Sequence, residues 1–186
     1  MKSVAACAGL VCAAVLFPLN LLAQPAPAEV RAALPDAVAV GSTRLRVWGF
    51  AVYDATLWAA PGFRPEAYAT QAFALELRYL RDFASADIAR RSIDEMRRSA
   101  SIDEARSQRW QAAMRAAFPD VKAGDRITGF YRPAGAEAAV ARFTFNGQPA
   151  GEIRDGDFAP LFFGIWLSAK TSEPAMREAL IGGDKP

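Results

Sequence analysis

Histidine is absent from all 186 residues. That absence excludes Ser-His-Asp and Cys-His nucleophile arrangements, imidazole general-base catalysis and histidine-ligated metals. A carboxylate-only site for a hard cation is the remaining metal option. No Asp/Glu run has the spacing for one, so no metal is expected. Cysteine is nearly as scarce: the chain has two, Cys7 and Cys12, both within its first 23 residues. Without those residues there is no disulfide to form, and the core alone must hold the fold. No nucleotide-binding motif is present, so no cofactor is expected. Net charge is also small, with 22 Lys and Arg against 20 Asp and Glu. No long basic stripe marks a nucleic-acid partner, and no repeat recurs at a fixed period.

The N-terminus has the pattern of a secretory signal. Lys2 is followed by the uncharged run VAACAGLVCAAVLF, and PLNLLAQPAPA offers small residues for cleavage after Ala23. The run is shorter than the ~20 residues of a spanning helix, so no stable membrane span is expected once the signal is removed. The expected organisation is a signal peptide over 1–23, a mobile Pro/Ala leader over 24–36 and one domain over 37–186. The expected destination is export to the periplasm. Loss of Lys2 leaves 21 basic and 20 acidic residues.

Within the domain, residues 37 to 60 have strand character, with a hairpin turn expected at Gly41-Ser42. In FALELRYLR, Phe73, Leu75, Leu77 and Tyr79 alternate with Glu76 and Arg78, the pattern of a strand with one buried face. Two helices follow. Ser85 is the expected cap of the first. A Ser101-x-x-Glu104 capping box opens the second, which carries Trp110, Met114, Ala117 and Phe118 on one stripe and stops at Pro119. AVARFTFNGQPAGEIRD reads as a hairpin turning at Asn146-Gly147. Asp157 is the expected cap of FAPLFFGIWLSAK, apolar nearly all round and therefore a buried helix. Ser172 is the expected cap of the last helix, with Pro174 in its first turn and Gly182 at its end. Strands interrupted by helical blocks, with hairpins instead of βαβ crossovers, predict an α+β fold with an antiparallel sheet.

The stretch RVWGFAVYDATLWA, beginning at Arg46, holds more charge and hydroxyl than a core strand requires. As a regular strand it would place Arg44, Arg46, Trp48, Phe50, Asp54 and Trp58 on one face, and Leu45, Val47, Ala51, Tyr53, Ala55 and Leu57 on the other. A bulge at Gly49 would bring Arg46 and Tyr53 to the same side. Two readings stay open here. Arginine stems can cover exposed rings while Asp54 pairs with an arginine. Alternatively, an arginine in an aromatic-walled cleft can meet a carboxylate with paired hydrogen bonds, beside phenols from Tyr53 and Tyr79. Arg81 is a second candidate for an acidic ligand end. Ser168, Thr171 and Ser172 cluster near the last helix, where capping competes with a ligand role for Thr171.

The stretches LRVWGFAVYDATLWA, LELRYLRDF, WQAAMRAAFPDVKAGDRITGFY, FTFNGQPAGEI and DFAPLFFGIWLSAKTSEPAMREAL, in that order, resemble the bacterial chalcone isomerase-like family. The resemblance implies an open-faced β-sandwich, a large antiparallel sheet backed by a layer of helices, with a cleft between them. In that family plant enzymes close a chalcone ring, and other members bind fatty acids without chemistry. The enzymes' early-strand arginine corresponds to Arg44 or Arg46, and their threonine falls near Tyr53. Their tyrosine and lysine fall at Ile88 and Arg91. Isoleucine cannot polarise a ketone, and arginine lacks the compact ammonium of lysine.

The resulting expectation is an exported protein binding a small apolar or amphipathic ligand, fatty-acid-like, through Arg44 or Arg46, Tyr53, Tyr79, Arg81, Arg91 and Thr171. Phe162, Phe163 and Trp166 are candidates for the far wall. The alternatives are a cofactor-free isomerase of the chalcone isomerase type and an envelope protein that binds a partner.

Overall fold

The computed structural model describes residues 25–135 and 137–182. The signal peptide expected over 1–23 lies outside these residues. Six strands, β1 (Val38–Val47), β2 (Phe50–Ala59), β3 (Phe73–Tyr79), β4 (Arg126–Arg132), β5 (Val140–Phe145) and β6 (Gln148–Arg154), form one antiparallel sheet in chain order. Helices α2 (Ser85–Met96) and α3 (Glu104–Ala117) are inserted between β3 and β4, and α4 (Phe158–Leu167) and α5 (Pro174–Leu180) follow β6. These four helices pack on one sheet face over the main core, where Phe73, Phe143, Phe158 and Phe163 are fully buried. This is the expected α+β open-faced sandwich.

The segment expected to be a mobile leader instead contains α1 (Ala28–Ala33), which lies on the opposite sheet face. Val30 is fully buried there against Trp58, Ala74 and Phe130. Glu29 reaches Arg126 at 2.5 Å. Val30, with Ala26 and Leu34 beside it, and one ion pair therefore hold a segment whose Pro/Ala composition suggests no partner.

That helix also explains why Glu76 is buried rather than solvated. Glu76 is 8% exposed, in a cross-strand row with Thr56 and with Thr128, itself paired with Thr144. Burial raises its pKa, opposed by nearby Arg126 and Arg78. The Trp58 indole also lowers it slightly, yet neither Trp58 Nε1 nor Glu76 Oε2 makes a good hydrogen bond. A folded-state pKa above the unfolded value means stability is lost as pH rises through the folded value, and the loss is complete above it. Glu76→Gln is therefore expected to stabilise the protein by about 1 kcal/mol at pH 7. The gain should vanish below about pH 4, where the unfolded carboxyl is also protonated. Denaturant titrations at the two pH values measure both.

Helix starts differ from expectation in which side chain serves them. Asp120 Oδ1 accepts from Ser85 N at 2.7 Å, so Ser85 is not the cap of α2. Asp103, not Ser101, caps α3, accepting from Arg106 N at 2.7 Å. Asp155 accepts from the backbone N–H groups of Asp157 and Phe158 at 2.9 and 3.0 Å, displacing Asp157 from that role on α4. Ser172 donates to Glu95 at 2.8 Å instead of capping α5. At α2 and α3 a carboxylate takes the place of the expected serine, and a carboxylate is the stronger acceptor.

Gly41 and Ser42 lie inside β1, not in a turn. A Cβ on Gly41 would stand 2.6 Å from Leu180 O and closer still to Ala179 O. The glycine is there to let the end of α5 rest on the strand. The actual turn is Trp48-Gly49, with φ of 49° and 83°.

Candidate functional site

A cleft of about 700 Å³ lies between the sheet and the helices α2 and α4, within the ~300–1,000 Å³ typical of small-molecule sites. Leu45, Val52, Leu77 and Ile127 line it from the sheet. Ile88 of α2 and Ile165 of α4 face them, with Phe162 and Trp166 on the same helical wall. Met176 of α5 closes one edge. The exposed residues Trp48, Phe50, Arg81, Asp87 and Arg90 mark its mouth. A smaller hollow of about 360 Å³ lies between the end of α1 and residues 60–63.

A bulge builds the sheet wall. Leu45 pairs with Tyr53 and Arg46 with Ala51, leaving Val52 as an extra residue on β2. Val52 and Tyr53 consequently both face the cleft, and Phe50 turns to its mouth. The bulge is at Val52, not Gly49, and it does not bring Arg46 to Tyr53. Phe50 leaves the face it was expected to share with Arg46.

Arg44 lies outside the cleft lining. It makes a two-pronged pair with its cross-strand partner Asp54, at 2.6 and 2.9 Å. The Arg44 guanidinium holds the Asp54 carboxyl below its ordinary range. Arg46 is exposed, also outside the lining, and donates to Gly49 O at 3.3 Å. Thr171 is likewise outside it. Its hydroxyl donates to Ile165 O at 2.7 Å and accepts from Glu173 N at 3.2 Å, tying the end of α4 to the start of α5.

Four of the expected residues do line the cleft: Tyr53, Tyr79, Arg81 and Arg91. The tyrosines are cross-strand partners, their rings edge-on at 6.0 Å. Burial pushes both hydroxyls well above the ordinary phenol range, so each is a neutral donor and not a base. Tyr53 Oη accepts from the Trp166 indole N–H at 2.9 Å. The Tyr79 hydroxyl makes no hydrogen bond among the described residues. Arg91 is held by Glu95 at 2.6 Å, and Glu95 also accepts from Ser172. Arg81 has no carboxylate partner among the described residues. Its guanidinium stands 5.2 Å from the centroid of the Phe50 ring.

The site is therefore an apolar cleft with two neutral phenols in its buried part and one uncommitted guanidinium at its mouth. Phe163 belongs to the core, stacked edge-on against Phe73 and Tyr131, whereas Phe162 and Trp166 do reach the cleft. Sequence reasoning overlooked Val52, Phe83 and Ile165 as lining residues. Only Ile165 carried a signal, one turn of helix after Leu161 on an apolar segment. Among the described residues no group of three His, Cys, Asp or Glu side chains is gathered as a metal site requires. No described helix is long and apolar enough to cross a membrane.

A family model described as chalcone isomerase-like matches residues 31–182. Among solved structures, the chain is similar to a fatty-acid binding protein of Arabidopsis thaliana. The two share 9% identity with a TM-score of 0.58, over 80% of this chain and 88% of that one. At that identity the likeness concerns the fold. No curated protein matches the sequence.

Proposed function

This chain belongs to the chalcone isomerase-like family, and on that premise we propose that it binds a small amphipathic molecule, fatty-acid-like, without transforming it. The observation that carries the reading is the cleft itself: mostly apolar on both walls, with Ser92, Glu95 and Glu173 as a polar strip on the helix side and Arg81 free of a carboxylate at the mouth. The apolar part of the ligand lies between Val52 and Ile88. Its acidic or phenolic end meets Arg81, and Tyr79 supplies a neutral donor further in. Export, from the pattern of residues 1–23, is part of the same proposal.

Cofactor-free isomerisation has less support. Ile88 lines the cleft where a ketone-polarising hydroxyl would be needed, and Arg91 is already engaged by Glu95. Neither buried phenol is ionised to act as a base.

The test is titration with a long-chain fatty acid, alongside native mass spectra of the purified protein. The absence of both saturable binding and a co-purified small molecule would sink the reading. Charge reversal at Arg81 refines it. An exposed pair contributes up to ~1 kcal/mol, and reversal adds a repulsion of similar size, so Arg81→Glu should weaken fatty-acid binding about tenfold. The alcohol of the same chain length should be affected less than about twofold. High salt should erase the difference between acid and alcohol.

A further inference from the structure

The two tight hairpins of the sheet have the same backbone. At β5–β6 the turn is Asn146-Gly147, with φ of 49° and 83°; at β1–β2 it is Trp48-Gly49, with φ of 49° and 83°. Asparagine is the residue that tolerates this left-handed first position, and the chain uses it at β5–β6. A bulky tryptophan there is strained. Nothing in the fold compensates it, because Trp48 is 94% exposed. The other three tryptophans, Trp58, Trp110 and Trp166, are all buried. Beside Trp48 on the same tip are Val47, 39% exposed, and Phe50, 62% exposed.

Cations flank this apolar tip. Arg46 reaches back to Gly49 O, and Arg81 sits over the Phe50 ring. Neither has a carboxylate partner among the described residues, while Arg44 and Arg91 both do. An exposed indole at the end of a rigid hairpin, with free guanidiniums behind it, matches the chemistry of an anionic bilayer surface. Tryptophan favours the boundary between headgroups and acyl chains, and arginine stems extend along the apolar layer to reach phosphates. The same tip forms the mouth of the cleft.

We propose that the β1–β2 hairpin docks this protein on anionic lipid bilayers. Trp48, Val47 and Phe50 enter the interface, and Arg46 and Arg81 contact the phosphates. Docking stands on the hairpin and the neighbouring Arg81 and is independent of what the cleft holds. If the cleft binds an amphipathic ligand, docking places its mouth against the layer in which such molecules dissolve.

Trp48→Asn supplies the test, since it installs the turn already used at β5–β6. The emission of Trp48 is obtained as the difference between wild type and W48N. Vesicles of phosphatidylcholine with phosphatidylglycerol should shift that emission to the blue, and brominated acyl chains should quench it. Attachment through the N-terminal apolar run would be common to both proteins and would leave the difference emission in water. Replacing Arg46 and Arg81 together by glutamine should weaken the anionic-vesicle response about thirtyfold. W48N should unfold at the same temperature as wild type or higher. A Trp48 emission that stays at its aqueous position would overturn the proposal and favour a protein partner for the tip. A lower unfolding temperature for W48N would also overturn it, because Trp48 would then serve the fold.

Discussion

Replacing Val52 and Ile88 together by tryptophan is expected to abolish fatty-acid binding while leaving the protein folded. The two side chains face each other across the cleft, one from the β2 bulge and one from α2, and both are only partly buried. The added rings enter space the cleft leaves open rather than the packed core. The backbone bond from Leu80 N to Val52 O, at 2.9 Å, uses no side-chain atom and should survive. Each methylene excluded from an apolar site forfeits about 0.8 kcal/mol. Four excluded methylenes therefore weaken binding by more than about a hundredfold. Calorimetric titration measures the loss, and an unchanged circular dichroism spectrum confirms the fold. Retained binding would move the ligand to another site, for which the smaller hollow beside α1 is the first place to look.

The second large effect concerns stability. Gly41→Val is expected to destabilise the protein by about 3 kcal/mol or more. In a chain of this size that lowers the unfolding midpoint by roughly 6–12 °C. Valine is the better strand residue, so intrinsic propensity predicts the opposite sign. The loss would come from contact alone, because the new Cβ meets the carbonyl oxygens of Ala179 and Leu180. Backbone cannot rotate away as a side-chain tip can, so α5 must lift from β1. Met176 of α5 forms one edge of the cleft, and ligand affinity should fall along with stability. A midpoint at or above that of wild type would mean that α5 does not rest on β1 as described.

The clearest successes of sequence reading are local patterns. Phe73, Leu75, Leu77 and Tyr79 alternate in the sequence and all four enter the core. Trp110 and Met114 mark the buried stripe of α3, and Asn146-Gly147 turns the β5–β6 hairpin. In each case a period or a dihedral preference acts over a few residues, so the signal is written in the segment that uses it. The β1–β2 hairpin escaped the same logic because its turn is made by a tryptophan, which no turn preference selects. Gly41 was mistaken for a turn former because a glycine required by a distant helix looks the same as one required by a dihedral angle.

Half of the candidate site was legible. Tyr79 and Arg81 reach the cleft because they follow from the alternation of β3 and its continuation. Arg44 and Arg46 do not, because β1 alternates regularly there and turns them away from Leu45 and Tyr53, as a plain strand predicts; the bulge that could have joined them to Tyr53 lies in the partner strand instead. Thr171 was a plausible ligand by composition, yet the carbonyl of Ile165 claims its hydroxyl.

By itself the sequence determined what kind of molecule this is. A chain with no histidine, with both cysteines near its start, and with strands and amphipathic helices in this order can build an antiparallel sheet under helices. It cannot host imidazole chemistry. Residue type and short-range period carry that information, and neither depends on where the segments meet. The tertiary structure alone decided which residues share a space. A single bulge at Val52 changes which side chains face the cleft, since strand periodicity is two and one extra residue reverses it. Pairing consumed Arg44 with Asp54 and Arg91 with Glu95 and left Arg81 free. Burial of Glu76 and of Val30 required α1 and the sheet to meet, Val30 of the helix packing on Trp58, Ala74 and Phe130. The Arg91–Glu95 pair is one helical turn apart and open to a local reading; the bulge, the Arg44–Asp54 pair and the cover over Glu76 depend on how separate elements meet, to which local pattern is blind.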